Sequence, residues 1–141
     1  MKILLPTDGS KNALRAVKYC VKLSKLTKTP PSVTLISVHD DTALRHAQRF
    51  VGKKAVDDYL RDLCEADMAD ARKVLDKAGI KHDMIIRTGH VATEIARAAG
   101  AGNYDVIALG SKGRSALKNL LLGSVATQVA ALASIPVLLV R

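Results

Sequence analysis

Five short apolar runs, separated by segments with helical spacing of apolar residues, constrain the fold of this 141-residue chain more than any other feature. Continuous apolar runs of this length, bounded by turn residues, are typical of strands covered on both faces. Strands that alternate with helices predict a parallel sheet with right-handed crossovers. We therefore predict one doubly wound α/β domain over residues 1–141. The runs are 2-KILLP-6, 33-VTLISV-38, 82-HDMIIR-87, 105-DVIAL-109 and 137-VLLV-140.

The segments between these runs predict helices. Residues 11 to about 27 place apolar side chains at intervals of three and four, with lysines and an arginine opposite, and the same spacing recurs from about residue 55 to 78. Shorter helices are predicted within 88–102, over 115–122 and over 124–133. Residues 41–54 show no clear pattern, although Gly52 indicates a break. The shape of that segment is left open.

Composition limits the classes of partner. The net charge is +9, but the charges are dispersed, which favours solvated helix faces; nucleic acid, anionic lipid and a phosphate-bearing small molecule all stay open on charge alone. Aromatic residues make up 3% of the chain, which argues against stacking platforms for single-stranded nucleic acid. We therefore expect no nucleic-acid partner.

The two cysteines and the N-terminal residues indicate the cellular compartment in which the protein is expected. Cys20 and Cys64 lie among apolar neighbours in helical patterns, which predicts buried thiols rather than a disulfide framework or a metal cluster. Three apolar residues between Lys2 and Pro6 are fewer than the roughly 7–15 of a signal-peptide core. No run approaches the ~18 apolar residues of a membrane span. We expect a soluble, cytoplasmic protein with no membrane partner.

The stretch 110-GSKGRSALKNLLLGS-124 follows the fourth predicted strand and holds three glycines. Gly110 and Gly113 would let backbone N–H groups approach an anion, and Gly123 with Ser124 would open a helix whose N-terminus favours phosphate. The alternative is that the glycines form a tight strand-to-helix turn and that Ser124 caps the helix. Spacing alone leaves both interpretations open.

Positive side chains and one carboxylate accompany this stretch. Lys112, Arg114 and Lys118 lie between the glycines and add positive charge. Asp8 follows the first strand, where it could cap the next helix, as could Ser10. Alternatively, Asp8 could accept a hydrogen bond from a ribose hydroxyl or hold a phosphate-bound Mg²⁺.

Signatures of several enzyme classes are missing from the sequence. The GxxxxGK[ST] phosphate loop and the GxSxG nucleophile elbow do not occur. The four histidines show no HxxxH or HExxH spacing, so no zinc site is predicted. The sequence offers no convincing general base for hydrolysis.

The stretches 3-ILLPTDGS-10, 33-VTLISVH-39 and 135-IPVLLVR-141 resemble the first, second and final strands of the universal stress protein family. The family's nucleotide signature, Gly-x2-Gly-x9-Gly-Ser/Thr, is matched by Gly110, Gly113, Gly123 and Ser124. The resemblance implies an adenine-nucleotide alpha-hydrolase-like fold with sheet order 3-2-1-4-5.

The resemblance also implies a ligand and its contacts. ATP, or AMP or ADP, is the expected ligand, with a divalent ion such as Mg²⁺ beside Asp8. Adenine and ribose are expected near Pro6, Thr7, Asp8 and the backbone of Val38. The phosphates are expected near Gly110, Gly113, Gly123, Ser124 and Val125, with Lys112 and Arg114 alongside.

The function that the resemblance implies is that of an ATP-binding module of the stress response, with at most weak ATP hydrolysis. The alternatives are a slow ATPase and an interaction protein with an empty pocket. A homodimer paired through Val137–Val140 is also implied, and an exposed apolar edge strand supports it. One departure is His90-Val91, where the family often has an acidic or amide residue and then proline, so a weaker helix start is expected there.

Overall fold

The computed structural model describes residues 1–113, 119 and 121–141. The predicted helix over residues 115–122 falls mainly outside these residues. The elements, in chain order, are β1 (Lys2–Pro6), α1 (Lys11–Ser24), β2 (Ser32–His39), α2 (Thr42–Val51), α3 (Lys53–Lys77), β3 (His82–Thr88), α4 (Val91–Ala101), β4 (Val106–Gly110), α5 (Ser124–Leu132) and β5 (Val137–Val140).

The five strands form one parallel sheet in the order β3-β2-β1-β4-β5. This confirms the predicted doubly wound sheet and its strand order. β1 lies between β2 and β4, with Ile3 opposite Val33 on one side and Val106 on the other. The chain order reverses at β1 and β4, and in such sheets ligands bind at the carboxyl end of this switch point.

Two buried clusters cover the two faces of the sheet. Successive strand residues point to opposite faces, so Leu5 packs with Met68 of α3 while Leu4 packs with Ile95 of α4. α1 and α3 cover one face, and α4 and α5 cover the other. Full burial of one such aliphatic side chain contributes about 1.5–3 kcal/mol to the free energy of unfolding. Among the described residues no helix is both long and apolar enough to cross a membrane.

Side-chain hydroxyls set both ends of α1. Ser10 is the N-cap: its Oγ accepts a hydrogen bond from the Ala13 N–H at 3.1 Å. The helix ends at Ser24, earlier than the predicted end near Thr27. The Ser24 Oγ donates to the carbonyl of Val21 and the Thr27 Oγ1 donates to that of Ser24, and such local bonds compete with continuation of a helix.

Residues 42–53, which the sequence left unassigned, form α2 and begin α3. The Asp40 carboxylate accepts hydrogen bonds from the N–H and hydroxyl of Thr42, and these bonds lower the pKa of Asp40. Gly52, with φ of +87°, separates the two helices. α2 has no buried residue, so no strict core-facing pattern is imposed on its sequence.

Candidate functional site

A cleft, here called the cavity, opens at the carboxyl edge of the sheet, where β1, β2 and β4 end, and the empty space in it, counted out to its open mouth, is about 500 Å³. Most of its lining is apolar and comes from strands and from α4 and α5. The apolar lining residues are Pro6, Ala13, Ile36, Val38, Val91, Ile95, Leu109, Val125 and Ala126.

The loops that follow β1 and β4 supply the polar part of the lining. Thr7 and Asp8 come from the first loop, and Lys112 comes from the second. A Cβ placed on Gly113 would stand 3.0 Å from Oδ2 of Asp8, so this carboxylate lies directly against the β4 loop. The two loops therefore meet at the switch point, as the sequence order implies.

Hydrogen bonds fix the turn that carries Asp8. Oδ1 of Asp8 accepts from the N–H of Ser10 at 2.9 Å, and Oγ1 of Thr7 accepts from the N–H of Gly9 at 3.3 Å. Oγ1 of Thr7 also donates to the backbone carbonyl of Asp67 in α3 at 3.4 Å. The turn is thus tied to itself and to α3, which holds the Asp8 carboxylate in place beside the cavity.

Gly123 closes the β4 loop onto itself. Its N–H donates to the carbonyl of Ser111 at 2.7 Å. A Cβ on Gly123 would stand 3.2 Å from the Cα of Lys112 and 3.3 Å from the backbone N of Gly113. The absence of a side chain therefore lets the start of α5 lie against the beginning of the loop.

The N-terminus of α5 adjoins the cavity. Gly123 is the N-cap and offers no side-chain cap, whereas Ser124 is the first helical residue, so the alternative in which Ser124 caps this helix is wrong. The first N–H groups of a helix have no partner within it, and they favour anions. Val125 and Ala126, in this first turn, line the cavity.

Gly110 has a packing role. A Cβ there would stand 2.6 Å from the carbonyl oxygen of Asn12 and 3.0 Å from the backbone N of Ala13. Both atoms belong to the first turn of α1, so the end of β4 touches that turn backbone to backbone. The three glycines thus differ in what they contact. Gly110 lets the end of β4 pack against α1. Gly113 lies against Asp8, and Gly123 lies where α5 meets the beginning of the loop.

His90 begins α4 beside the cavity. Its Nδ1 accepts from the N–H of Thr93 at 3.4 Å and lies 2.8 Å from Oγ1 of Thr93, so the histidine caps the helix. Despite the departure from the family's pattern the helix start has a side-chain cap, because an imidazole nitrogen here makes the bond that a short polar side chain makes elsewhere. The next residue, Val91, is free to line the cavity.

Most of the site residues predicted from sequence converge. Those that line the cavity are Pro6, Thr7, Asp8, Val38, Gly110, Lys112, Gly113 and Val125. Gly123 adjoins it through Lys112 and Gly113, Ser124 begins the helix whose next two residues line it, and Arg114 lies outside the described residues. Sequence reasoning missed Ala13, Ile36, Val91, Ile95, Leu109 and Ala126. Two signals could have found some of them: Ile36 alternates with Val38 on β2, and Val91 and Ile95 are four apart on α4.

Comparison with known proteins assigns this architecture to a family. The whole chain, residues 1–141, matches the universal stress protein family. The chain belongs to that family. The family resemblance predicted from the sequence is thereby confirmed.

Relatives in the universal stress protein family match over nearly the whole chain. Universal stress protein MJ0531 of Methanocaldococcus jannaschii is 31% identical over 146 residues, and the match covers 99% of this chain and 81% of MJ0531. Universal stress protein MJ0577 of the same organism is 33% identical over 154 residues, covering 99% and 94%. The solved structure of MJ0577 has a TM-score of 0.83, with the same two coverages. A universal stress protein from Archaeoglobus fulgidus, solved in complex with dAMP, shares the fold at 18% identity and a TM-score of 0.63, covering 100% of this chain and 98% of its own.

Proposed function

We propose that this universal stress protein binds an adenine nucleotide, ATP in particular, and acts as a nucleotide-dependent module in the stress response. One observation carries the proposal: a single cavity is lined by an apolar slot, by the adjacent residues Asp8 and Gly113, and by the first turn of α5, whose N-cap Gly123 offers no side-chain cap. A nucleotide has parts that match this lining: an apolar base, a hydroxyl-bearing sugar and anionic phosphates. The dAMP complex of the Archaeoglobus fulgidus relative supports an adenine ligand.

Each part of the nucleotide has a counterpart in the cavity. The base lies among the apolar residues of β2, α4 and β4, where Val38 offers backbone groups to its edge. The Asp8 carboxylate accepts hydrogen bonds from ribose hydroxyls. The phosphates lie at the first turn of α5, where the N–H groups of Ser124 and Val125 have no partner within the helix, with Gly113 and the positive charge of Lys112 nearby.

A divalent ion fits this site only together with the phosphates. Among the described residues no group of three or more His, Cys, Asp or Glu side chains could hold a metal ion. Mg²⁺ commonly binds through one or two carboxylates plus substrate phosphates, and Asp8 can supply one carboxylate. Asp8 would hold Mg²⁺ beside the phosphates, where the ion would neutralise their charge.

The lining favours binding over catalysis. Among the described residues that line the cavity, Asp8 is the one carboxylate, and none is a histidine or cysteine. Oδ1 of Asp8 already accepts a hydrogen bond from the N–H of Ser10, and the proposed role of the carboxylate is to bind ribose or Mg²⁺. Activation of a water molecule would need a further general base. We therefore expect bound ATP to stay intact for hours.

Nucleotide analysis of the pure protein tests this proposal. The protein is purified without added nucleotide and heat-denatured, and the supernatant is analysed by mass spectrometry. Separately, ATP with Mg²⁺ is added to nucleotide-free protein at about 100 times its dissociation constant, which should stabilise the fold by ~2.7 kcal/mol and raise Tm by roughly 10 °C. GTP and ATP without Mg²⁺ serve as comparisons. No adenine nucleotide in the supernatant and no rise in Tm would overturn the proposal, and rapid release of ADP would make the protein an ATPase.

We also propose a homodimer formed through β5. β5 is an edge strand whose four residues are all partly exposed. The carbonyls of Pro136 and Val140 accept hydrogen bonds from Ile107 and Ser111 on the β4 side. By the alternation of a strand, the N–H of Leu139 then points to the open edge, where a second β5 can pair with it.

Sedimentation at several protein concentrations tests the dimer. Leu139→Pro removes the outward N–H and should convert the dimer to a monomer. The matched control is Met84→Pro at the opposite edge. The carbonyl of Lys81 accepts from Val33 of β2, so the alternation of β3 directs the Met84 N–H away from the sheet. A wild-type monomer at all concentrations, or a dimer lost only in the Met84 variant, would rule out pairing through β5.

A further inference from the structure

An exposed corner with basic and apolar side chains joins α2 to α3. Residues 49–55, here called the α2–α3 corner, are all exposed, in sharp contrast to buried Val56, which follows them. Gly52 makes the bend, and its N–H donates to the carbonyl of Gln48 at 2.9 Å. The corner is therefore fixed at the end of a hydrogen-bonded helix and anchored by a buried side chain.

The corner carries a large apolar side chain at its end. Phe50 is the single phenylalanine of the chain, and it is 90% exposed, while Val51 beside it is 60% exposed. A phenylalanine that contributes to folding is normally buried, so the exposure of Phe50 in this position has no explanation in the core. None of residues 49–55 lines the cavity at the carboxyl edge of the sheet, so Phe50 is not part of that site.

Positive charges surround this apolar end. Arg49, Lys53 and Lys54 all lie within four residues of Phe50, and residues 42–54 contain no acidic residue. Arg45, one turn earlier, pairs with Asp41 at 3.0 Å, but within the part of the chain that the structure describes no ion pair involves Arg49, Lys53 or Lys54. Acidic residues resume at Asp57 and Asp58, one helical turn after Lys53 and Lys54. Residues 49–55 themselves carry three positive charges and no negative one, so this end of the corner is complementary to an anionic surface.

We propose that the α2–α3 corner binds the surface of an anionic lipid bilayer, with Phe50 inserted at the acyl boundary and Arg49, Lys53 and Lys54 at the headgroups. Exposed apolar side chains flanked by Lys and Arg are the features of interfacial membrane contacts, and each basic residue near such a surface adds attraction. Nucleic acid would satisfy the charges but not the apolar side chains. This revises the expectation of no membrane partner, since the contact is peripheral and crosses no bilayer.

The corner also lies on a functional edge of the fold. α3 connects parallel strands and runs opposite to them, so its start is at the carboxyl edge of the sheet, the edge at which the cavity opens. A second exposed segment with similar chemistry lies at the other edge, after α1: residues 25–30 include Leu26, 75% exposed, with Lys25 and Lys28. That segment has one apolar residue and no aromatic one, and it provides a matched control.

Vesicle binding tests the proposal. Full-length protein is sedimented with phosphatidylcholine vesicles that contain either no anionic lipid or about 30% phosphatidylglycerol, at about 0.1 M salt. We expect binding to the anionic vesicles alone. Lys53→Gln with Lys54→Gln should weaken it by roughly 25-fold, about fivefold per charge, and Phe50→Ser by at least about tenfold. The control pairs, Lys25→Gln with Lys28→Gln and Leu26→Ser, make the same changes at the opposite edge and should have much smaller effects.

A spectroscopic variant reports insertion directly. The chain has no tryptophan, so Phe50→Trp supplies a single indole, whose emission should shift to shorter wavelength on anionic vesicles and not on neutral ones. Circular dichroism of every variant checks that the fold is retained. Three outcomes overturn the proposal: no binding of the wild type to anionic vesicles, equal losses at the control segment, or tighter binding to duplex DNA that Phe50→Ser leaves unchanged.

Discussion

The N–H of Gly123 donates to the carbonyl of Ser111 at 2.7 Å, and this bond joins the two ends of the loop that follows β4. Through it the N-cap of α5 lies close to Gly113, which itself lies against Asp8 at the switch point of the sheet. Turn formation and ligand binding are therefore not alternatives for this loop. The close turn at Gly123 is what places helix N–H groups beside the cavity.

A side chain at Gly123 should separate these parts. In Gly123→Val the new Cβ would meet the backbone of Lys112 and Gly113 at 3.2 and 3.3 Å, so the loop must shift away from α5. We expect ATP affinity to fall at least about tenfold, and the free energy of unfolding to fall by about 1–3 kcal/mol, as is usual for overpacking. Calorimetric titration with ATP and urea unfolding measure the two effects. Unchanged affinity in a folded variant would mean that the α5 N-terminus does not bind the phosphates.

Gly110 should behave as a packing residue, even without nucleotide. Gly110→Ala places a Cβ 2.6 Å from a backbone oxygen of α1, which neither a rotamer change nor a small shift relieves. We expect a loss of about 1–3 kcal/mol in the free energy of unfolding of the nucleotide-free protein. The control is Gly100→Ala within α4, where the nearest atom is the Ser134 Oγ at 3.7 Å and alanine should stabilise by roughly 0.5–1 kcal/mol. Equal effects of the two substitutions would contradict the packing role.

The residues that sequence reasoning placed well are those whose position follows from strand order. Asp8, Lys112 and Gly113 follow adjacent strands, so parallel pairing alone brings them to one edge. Two other features could not be predicted from the sequence. The packing role of Gly110 depends on how closely α1 approaches β4, which is a tertiary distance. Helix α2 buries no residue, so its sequence shows no periodic pattern of core-facing apolar residues. Local pattern predicts elements, whereas the distance between two elements is set by tertiary packing.

The pair formed by His39 and Asp67 should matter for stability. Nε2 of His39 lies 2.7 Å from Oδ2 of Asp67, joining the end of β2 to the middle of α3, and Asp67 is buried. Asp67→Asn keeps the shape but removes the charge, and we expect a loss of about 1–3 kcal/mol in the free energy of unfolding. Asp70→Asn on the same helix removes a surface pair with Lys73 and should change it by less than about 0.5 kcal/mol. Urea unfolding at neutral pH measures both, and similar small losses would show that the buried pair adds no stability.

The two thiols should be unreactive in the folded protein. Burial raises the pKa of Cys20 to about 11 and also raises that of Cys64, and the thiolate is the reactive form. Iodoacetamide at about pH 8, below the ordinary thiol pKa, should label neither cysteine in the native state and both in denaturant.

The raised pKa of Cys20 also makes the free energy of unfolding depend on pH. Because the folded-state pKa of Cys20 lies above that of the unfolded chain, its contribution is complete below about pH 9 and is lost as pH rises toward about 11. Cys20→Ala should therefore lose less stability than the wild type over this interval, although it starts lower because a cavity replaces the sulfur. Unfolding curves at each pH measure the two slopes. Rapid native-state labelling, or equal slopes in the two proteins, would show that the Cys20 thiol ionises as freely in the folded protein as in the unfolded chain.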